Sequence, residues 1–469
     1  MNSPQVLPKP APLALRIGEF VAQIRYEGLP ASTVAAVKRL LLDTLGCALG
    51  ALDALPVRLL QPLAPTIAAD QAGANLIGSG RRSTAEGAAA INGALVRYLD
   101  FMDVYWSRDV CHPAENIPVA LACVQEARGN GRTFIEAVVA GYEVQIRLCD
   151  AFSFQDRGFH HASAAGFVVP FVAGKAWGQS AIEMAQGTVL GGTRHLTLGV
   201  LSKGKLSMAK AIGYPLSAAE SISSARLAGA GFSGPLNAYE WLFEKTAGRT
   251  ESPAAFALDH QAYRLEQVSL KQYPVQYALQ APVAAAASLH REAADRLDRI
   301  VRIRARVRPE TIARAADADK FRPLNRETAD HSLPSCVAMA LAEGCLGEAQ
   351  FHGQRFLDAD VMRLTLLVEA IADSDFEARF PAGRPGAVEI DFDDGSSLIA
   401  TEEIPLGDRD RPMTDAAVKA KFLSLAVPAL GQQRADAVIA FIDQLEHQAS
   451  LDPLLAQCVC LPARQTGVN

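Results

Sequence analysis

Five acid–base side chains lie within one short stretch of the sequence, YLDFMDVYWSRDVCHPAENI, at residues 98–117. Asp100 and Asp103 are three residues apart at the end of a predicted helix, so they share one of its faces. With His112 they could carry out acid–base chemistry, or one carboxylate could orient the imidazole. The alternative is an ordinary helix end and polar loop, and Asp109 and Glu115 receive no role. A metal site is not predicted, because no second histidine follows His112 at helical spacing.

A histidine pair marks a second candidate segment, DRGFHHASAAGFVVPFVAGKAWG. His160 and His161 precede a very apolar helix, where an unpaired polar group would be costly. Adjacent residues point to different sides of a helix, so we expect at most one of the two imidazoles to enter a given site. The alternative is a helix N-terminus at which both imidazoles have hydrogen-bond partners.

Lysines in two further segments could bind a carboxylate. In LSKGKLSMAKAIGYPLSAAES, Lys203, Lys205 and Lys210 precede an alanine-rich helix. An apolar setting would make Lys210 either a carboxylate anchor or a lysine of lowered pKa. The alternative for Lys210 is an ordinary surface lysine. In LKQYPVQYALQAP, Lys271 lies where two predicted domains should meet.

The segment DKFRPLNRETADHSLPSCVAMAL collects charged and polar residues ahead of another apolar helix: Arg322, Arg326, Asp330, His331 and Ser332. This composition would allow Ser-His-Asp hydrolysis, but the chain has no GxSxG motif. It also has no Walker or zincin motif, so nucleotide chemistry has no support. Together, the cations, histidines and carboxylate of these segments fit proton abstraction beside a substrate carboxylate, in which cations stabilise a developing enediolate.

Composition narrows the class of protein. The chain has 469 residues, 49% of them hydrophobic, and a net charge of −6, which does not indicate a nucleic-acid surface. Its eight cysteines are scattered apart from one Cys-Val-Cys, so neither a zinc site nor a disulfide framework is predicted. The N-terminus has prolines where a signal peptide needs an apolar core, and no apolar run reaches the ~18 residues of a membrane helix. We therefore expect a cytoplasmic protein without a membrane partner.

The elements that must position these residues follow from periodicity. Residues 13 to about 265 show helical patterns, with Ser32 and Thr33 as candidate caps of one helix. RIVRIRARVRPE alternates as a half-buried strand whose apolar face includes Val301, and MRLTLLVEA could form a second strand. Asp394-Gly395 marks a hairpin turn, and helical patterns resume from Asp415.

The predicted fold class is mostly α. A large all-α domain is expected from residues 13–271 together with 406–460, and a smaller α+β domain is inserted at residues 272–405. A cleft between the two domains is the expected ligand site.

Motifs along most of the chain resemble one known family. RYLDFMDVY…CHPAENI, RGFHHAS, LSMAKA, LKQYP and RPLNRETADHSLPSCVAMAL are similar, in order and from about residue 13 to 455, to the signatures of the MmgE/PrpD family. Its members include 2-methylcitrate dehydratase, cis-aconitate decarboxylase and iminodisuccinate epimerase. The twelve-residue spacing from Asp100 to His112 resembles the 2-methylcitrate dehydratase branch. The resemblance implies a helical domain with an α+β lid domain, a homodimer, and no cofactor.

The resemblance also implies roles for individual residues. Asp100 matches the aspartate of the family's LDFxD run, and His112 matches the histidine of its HP pair. A further family histidine matches His161 or His160, and the dehydratase pattern favours His161. The implied catalytic set is Asp100, His112, His161, Lys210 and Lys271. In this set the lysines anchor carboxylates, the histidines share the base and acid roles, and Asp100 orients an imidazole, while His160 and His331 contact the substrate.

Three positions depart from the family pattern. Met102 and Val104 stand where the dehydratase-type motif reads DFNDT, and Ser335 stands where the family has a tyrosine. We expect all three to line the substrate site, where each lost hydrogen bond weakens binding of the usual substrate by about 1 kcal/mol. The prediction is a cofactor-independent carbon–oxygen lyase for a hydroxy-di- or tricarboxylate. A decarboxylase or epimerase of a related acid and a catalytically silent carboxylate-binding protein are the alternatives.

Overall fold

A computed structural model describes residues 11–247, 256, 258, 260, 262–380 and 382–460. Over these residues the fold is mostly α, as the sequence predicted. The predicted helical stretch that runs to about residue 265 includes positions 248–255, 257, 259 and 261, which lie outside the described residues. Most of the N-terminal segment that was compared with a signal peptide, residues 1–10, lies outside them as well.

The first part of the chain is built from helices joined by short loops and two-residue strands. The helices are α1 (Leu13–Gln23), α2 (Ala31–Gly50), α3 (Leu55–Leu60), α4 (Ala85–Tyr98), α5 (Asn116–Glu126), α6 (Gly131–Ala151), α7 (Ala165–Trp177), α8 (Ala181–Gly192), α9 (Gly213–Gly229) and α10 (Ala238–Ala247). The strands form two small antiparallel pairs, β1 (Ala74–Asn75) with β2 (Arg82–Ser83) and β3 (Tyr105–Trp106) with β4 (Val110–Cys111).

Small residues let these helices pack closely around one continuous hydrophobic core. Where α7 meets α8, a Cβ on Gly166 would lie 2.7 Å from the carbonyl oxygen of Gly191, and a Cβ on Gly191 would lie 2.5 Å from that of Gly166. Only glycine allows two backbones to approach this closely. The abundance of alanine and glycine in the sequence is therefore explained by helix–helix contact.

The second hydrophobic core lies between residues 273 and 392 and surrounds a four-stranded sheet. The elements are α11 (Gln280–Ala293), β5 (Ile300–Val307), α12 (Pro309–Ala315), α13 (Arg326–Ala329), α14 (Leu333–Glu343), α15 (Glu348–His352), α16 (Ala359–Leu366), β6 (Val368–Ala372), α17 (Ser374–Ala378), β7 (Gly386–Phe392) and β8 (Ser397–Glu402). The strand order is β6-β5-β7-β8, in which β5 and β6 are parallel and the other pairs are antiparallel. Helices α11 and α14 pack against the sheet.

The predicted alternating strand is β5, but its apolar face differs at one end. Val301 is 51% exposed, because the register between β5 and β7 shifts between Ile300 and Arg302. Ile300 occupies the buried position instead, as a bulge moves one side chain to the other face. The hairpin at Asp394-Gly395 is confirmed: it joins β7 to β8, and Gly395 has a left-handed φ of 83°.

Two other local predictions are corrected. Helix α2 begins at Ala31, so Ser32 and Thr33 lie in its first turn and do not cap it; their hydroxyls donate to the carboxylate of Glu266. The segment MRLTLLVEA is mainly the end of α16, which buries Leu364 at helical spacing, and only the residues from Val368 onward form a strand.

The C-terminal helices return to the first core. They are α18 (Asp415–Leu430), α19 (Gln432–Asp443) and α20 (Asp452–Gln457). Helix α18 starts at Asp415, as predicted, because the hydroxyl of Thr414 accepts the N–H of Ala417, and it packs along α2. Among the described residues, no single helix has the length and apolar character needed to cross a membrane; α2 and the segment Leu55–Leu63 meet that requirement only when the two bent parts are combined.

Candidate active site

A cavity of about 660 Å³ opens where the two hydrophobic cores meet. One wall comes from the first core and carries Arg97 together with most of the predicted site residues: Asp100, His112, His160, His161 and Lys271. The other wall comes from the second core and includes Gln276, Tyr277, Glu310, Arg314 and His331. The cavity therefore brings together six of the residues predicted for the site, from segments far apart in the chain: Asp100, His112, His160, His161, Lys271 and His331.

Asp100 is held at the end of α4 in an unusual backbone conformation. Its φ of 51° is left-handed, which aspartate tolerates better than most residues but at some energetic cost. The ammonium of Lys271 donates to the carbonyl oxygen of Asp100 at 2.7 Å and lies 3.3 Å from its Oδ2, and Arg97 donates to Oδ1. Burial opposes ionisation, but Lys271, Lys210 and Arg97 hold the pKa of Asp100 well below its usual range. Asp100 is thus a buried, ionised carboxylate.

His112 is fixed in one tautomer. Its Nδ1 donates to the backbone carbonyl oxygen of Asp103 at 2.7 Å, so Nε2 keeps its lone pair and is the nitrogen left for the cavity. Burial, together with Lys271 and Arg97, lowers the pKa of His112 well below its ordinary value. The imidazole is therefore neutral and can accept a proton.

Asp103 supports this loop without entering the cavity. Its two oxygens accept the N–H of Ala114 at 2.9 Å and the hydroxyl of Tyr142 at 2.7 Å. Burial raises the pKa of Asp103 to about 7. Asp109 is likewise a loop anchor, whose Oδ2 accepts the N–H of Phe154 at 2.8 Å. Asp100 therefore lines the cavity, whereas Asp103 and Asp109 hold the loop beside it in place.

Both histidines of the HH pair line the cavity, contrary to the expectation that at most one would enter it. His161 begins a 3₁₀ turn ahead of α7, and His160 is the N-cap of that turn with an extended backbone. Adjacent side chains therefore need not diverge as in a regular helix, and the two ring centroids lie 4.0 Å apart. Nδ1 of His160 accepts the N–H of Ala162 at 3.2 Å, which leaves the proton of a neutral ring on Nε2. Nε2 of His161 lies 3.5 Å from Oε2 of Glu115, and its ring centroid lies 5.2 Å from that of His112.

Lys210 lies behind the cavity wall and not in it. Its ammonium donates to both carboxylate oxygens of Asp330 at 2.8 Å. Asp330 in turn accepts the Nδ1–H of His331 at 2.6 Å, which leaves the lone pair on Nε2, 3.9 Å from Oδ2 of Asp100. Burial and Lys210 lower the pKa of His331. Lys210 therefore does not contact the cavity directly; it binds Asp330, which binds His331, and His331 lines the cavity.

The three positions that depart from the family pattern are not part of the cavity lining, contrary to the expectation from the sequence. Val104 exchanges two backbone hydrogen bonds of 2.9 Å with Ser269, and its side chain is completely buried. Met102 is buried in the first core. Ser335 is buried in the first turn of α14, where its hydroxyl has no partner among the described residues. Sequence proximity to the motif did not reveal which way these side chains point.

Two residues of the site were missed by the sequence interpretation. Arg97 lines the cavity and pairs with Asp100 at i, i+3, a spacing that could have indicated it. Glu115 was noticed but given no role; it lies 3.7 Å from Nε of Arg97, and burial raises its pKa to about 8 despite that arginine. Its position against His161 could not be read from the sequence.

Among the residues that the structure describes, one group of side chains has the geometry of a metal site. Ligand atoms of Asp100, Asp330 and His331 lie within 4.8 Å of one another. Each carboxylate is already paired with cationic side chains, Asp100 with Arg97 and Lys271 and Asp330 with Lys210. These cations supply the positive charge that a metal ion would bring to the two acids.

Fold and cavity together define a mostly helical protein whose buried site combines neutral imidazoles with paired cations and carboxylates. The chain belongs to the MmgE/PrpD family: residues 15–253 match the MmgE/PrpD N-terminal domain, and residues 273–447 match the C-terminal domain. It is 27% identical to a 2-methylcitrate dehydratase of Cupriavidus necator over 86% of this chain and 87% of that one. It is 25% identical to a 2-methylcitrate dehydratase of Escherichia coli K12, over 78% and 80% of the two chains. A cis-aconitate decarboxylase-like protein of Aspergillus oryzae is 24% identical over 93% and 95%.

Proposed function

We propose that the protein is a lyase of the 2-methylcitrate dehydratase type, which removes water from a hydroxy-di- or tricarboxylate. The observation that carries the proposal is the pairing, on one cavity wall, of a neutral His112 with a free Nε2 and the ammonium of Lys271. A base next to a cation is what abstraction of a proton beside a carboxylate requires, because the cation stabilises the enediolate that forms.

The charge of the site supports a carboxylate ligand. Three buried cations, Arg97, Lys210 and Lys271, face two ionised acids, Asp100 and Asp330. With Glu115 protonated below its pKa of about 8, one positive charge in this group has no counterpart. A carboxylate of the substrate supplies that negative charge, and a second carboxylate can meet Lys203 or Arg314 nearer the second core.

The proposed reaction begins when Nε2 of His112 takes the proton from the carbon next to a substrate carboxylate. The electron pair moves into that carboxylate as an enediolate, which Lys271 and Arg97 stabilise. The pair then forms the carbon–carbon double bond as the carbon–oxygen bond on the neighbouring carbon breaks. The hydroxyl takes a proton from a histidine on the same wall, His161 or His160, and leaves as water.

Decarboxylation of a related acid is the second candidate. It is favoured by similarity over nearly the whole chain to the cis-aconitate decarboxylase-like protein. Loss of carbon dioxide produces the same enediolate-type charge, so Lys271 and Arg97 would serve it equally. Epimerisation needs the same charge stabilisation, and a binding protein would need only the cations.

The test is turnover by the purified protein of citrate, 2-methylcitrate, malate and cis-aconitate. We expect new alkene absorbance from one of the hydroxy acids without release of carbon dioxide. Carbon dioxide release would favour the decarboxylase, and loss of optical activity alone would favour the epimerase. Thermal stabilisation by an acid without any turnover would leave only the binding protein.

We further propose that the protein is a cytoplasmic homodimer and that the second core acts as a lid over the cavity. The cavity walls come from both cores, so a hinge motion between them would open it. Light scattering of the purified protein tests the dimer; a monomeric mass would contradict it. Hydrogen exchange with and without a bound acid tests the lid, since closure should protect the segments that face the cavity from both cores.

A further inference from the structure

Glu115 is a buried carboxylate to which the reaction described so far gives no part. Its side chain is fully buried, and neither of its oxygens has a hydrogen-bond partner in the part of the chain that the structure describes. Although Glu115 stands at the N-terminus of α5, its side chain accepts no backbone N–H there. A buried acid without such bonds is costly, so its presence calls for a specific neighbour.

Two groups face this carboxylate. Oε2 of Glu115 lies 3.5 Å from Nε2 of His161, and Oε1 lies 3.7 Å from Nε of Arg97. Nε2 of His161 is itself buried without a hydrogen-bond partner among the described residues. A side-chain movement of about 0.5 Å brings the carboxyl and imidazole into hydrogen-bond range, and a single proton between them satisfies both.

We propose that Glu115 is a positioning residue for His161: it holds a proton against Nε2 and so presents Nδ1–H of His161 to the cavity as a proton donor. Since Nε2 faces Glu115, Nδ1 is the ring nitrogen left for a ligand in the cavity that His161 lines. This inference rests on the proposed dehydration, and it assigns the acid that protonates the departing hydroxyl.

The electrostatics agree with this position of the proton. Burial raises the pKa of Glu115 to about 8 against the attraction of Arg97, while burial and Arg97 lower the pKa of His161 to about 3. Both shifts favour a protonated Glu115 beside a neutral His161. The other titratable groups that interact with Glu115 are Asp100, Asp103, Tyr214 and Lys271.

The proton transfer balances as follows. His161 gives its Nδ1 proton to the hydroxyl, which leaves as water while the carbon–oxygen bond breaks. The proton of Glu115 moves to Nε2, so His161 ends neutral and Glu115 ends as a carboxylate beside Arg97. After the alkene leaves, the proton that His112 took from the substrate carbon is returned through solvent to Nδ1 of His161, and the proton on Nε2 moves back to Glu115.

The first experiment separates proton delivery from structure. In Glu115→Gln the amide can still donate to Nε2 but cannot pass a proton on. We expect kcat for 2-methylcitrate to fall by about 100-fold or more, with KM within about threefold of wild type. With the analogue in which chlorine replaces the hydroxyl, chloride leaves without a proton, so the variant should match wild type within about threefold. Equal losses on both compounds, or no loss on either, would overturn the proposal.

The control is Glu126→Gln at the other end of α5, where the carboxylate pairs with Arg226 at 2.7 Å on the surface. This variant should keep wild-type rates with both compounds. It shows that removing a paired carboxylate from the same helix does not by itself change turnover.

A second measurement does not depend on turnover. In the ¹⁵N spectrum of the nine histidines, the His161 signal is assigned by its loss in His161→Gln. We expect Nδ1–H with an unprotonated, hydrogen-bonded Nε2 in the wild type and in Glu115→Gln, and a mixture of tautomers in Glu115→Leu. A wild-type proton on Nε2 would refute the pairing. Absence of turnover together with the expected spectrum would remove the proposed dehydration but keep the Glu115–His161 pair.

Discussion

Nδ1 of His112 donates a hydrogen bond of 2.7 Å to the backbone carbonyl oxygen of Asp103, nine residues earlier in the chain. The bond fixes both the tautomer and the direction of the ring, and it leaves Nε2 with a lone pair at the cavity wall. The carboxylate of Asp103 is bound to Ala114 and Tyr142, so the acceptor loop is itself held in place. The site thus contains a base that is prepared before any ligand binds.

Replacing this base should abolish most of the activity. In His112→Gln we expect turnover of the best substrate to fall by about 10²- to 10⁴-fold, since a general base contributes that much, while binding of the acid changes little. Steady-state kinetics and calorimetric binding measure the two effects. The matched control is His290→Gln, because Nδ1 of His290 also lies 2.8 Å from a backbone carbonyl, that of Leu341, but away from the cavity. Equal losses in both variants would contradict a specific role for His112.

The affinity for carboxylates should fall as the pH rises through about 8. Burial lowers the pKa of Lys271 to about 8, so its ammonium is present below that pH and is lost above it. Calorimetric titration of a citrate-like acid between pH 6.5 and 9.5 measures the change. In Lys271→Gln we expect weaker binding at pH 7 and a shallower decline. An equally steep decline in that variant would show that another group is responsible.

The same shift affects stability with the opposite sign. The folded state has a lowered pKa for Lys271, so between about pH 8 and the unfolded value of about 10.4 the unfolded chain binds more protons. The contribution of Lys271 to the free energy of unfolding therefore rises with pH over this range. Urea unfolding at pH 8 and pH 10 tests this. The free energy of unfolding of the wild type, relative to that of Lys271→Gln, should be larger at pH 10 than at pH 8.

Asp330 should be important for folding as well as for the site. Asp330→Asn leaves the buried ammonium of Lys210 without its carboxylate, and breaking a buried ion pair costs about 3–5 kcal/mol. Urea unfolding measures this loss in the free energy of unfolding. The control Asp443→Asn removes the partner of Lys419 from an exposed pair, which should cost less than about 1 kcal/mol. Similar losses in the two variants would mean that the Lys210–Asp330 pair is not special.

Two neighbouring serines of α14 should respond in opposite ways to truncation. The hydroxyl of Ser335 is buried without a partner among the described residues, so Ser335→Ala should leave stability unchanged or raise it slightly. The hydroxyl of Ser332 accepts the N–H of Ser335 as the helix cap, and Ser332→Ala should cost about 1 kcal/mol. Ligand affinity of Ser335→Ala should match wild type, because Ser335 does not line the cavity. A large change in affinity would show that Ser335 contacts the ligand after all.

The sequence predicted the kinds of residue in the site better than their arrangement. His112 and Lys271 were assigned to the site through the family resemblance, and both line the cavity. Lys210 was assigned in the same way but lies behind Asp330. A motif restricts which residue occupies a position, whereas the direction of a side chain depends on packing by distant segments.

By itself, the sequence determined that the chain is mostly helical, that it resembles the MmgE/PrpD family, and which acid–base groups it contains, because periodicity and motif spacing are local properties. Only the tertiary structure decided how these groups pair. Lys271 meets Asp100 from 171 residues away, and Lys210 meets Asp330 from 120 residues away. The tertiary structure also buries the side chain of Val104 and places Oε2 of Glu115 3.5 Å from Nε2 of His161. Burial and electrostatic pairing depend on distances between side chains in the folded chain, and those distances are fixed only when both cores have formed.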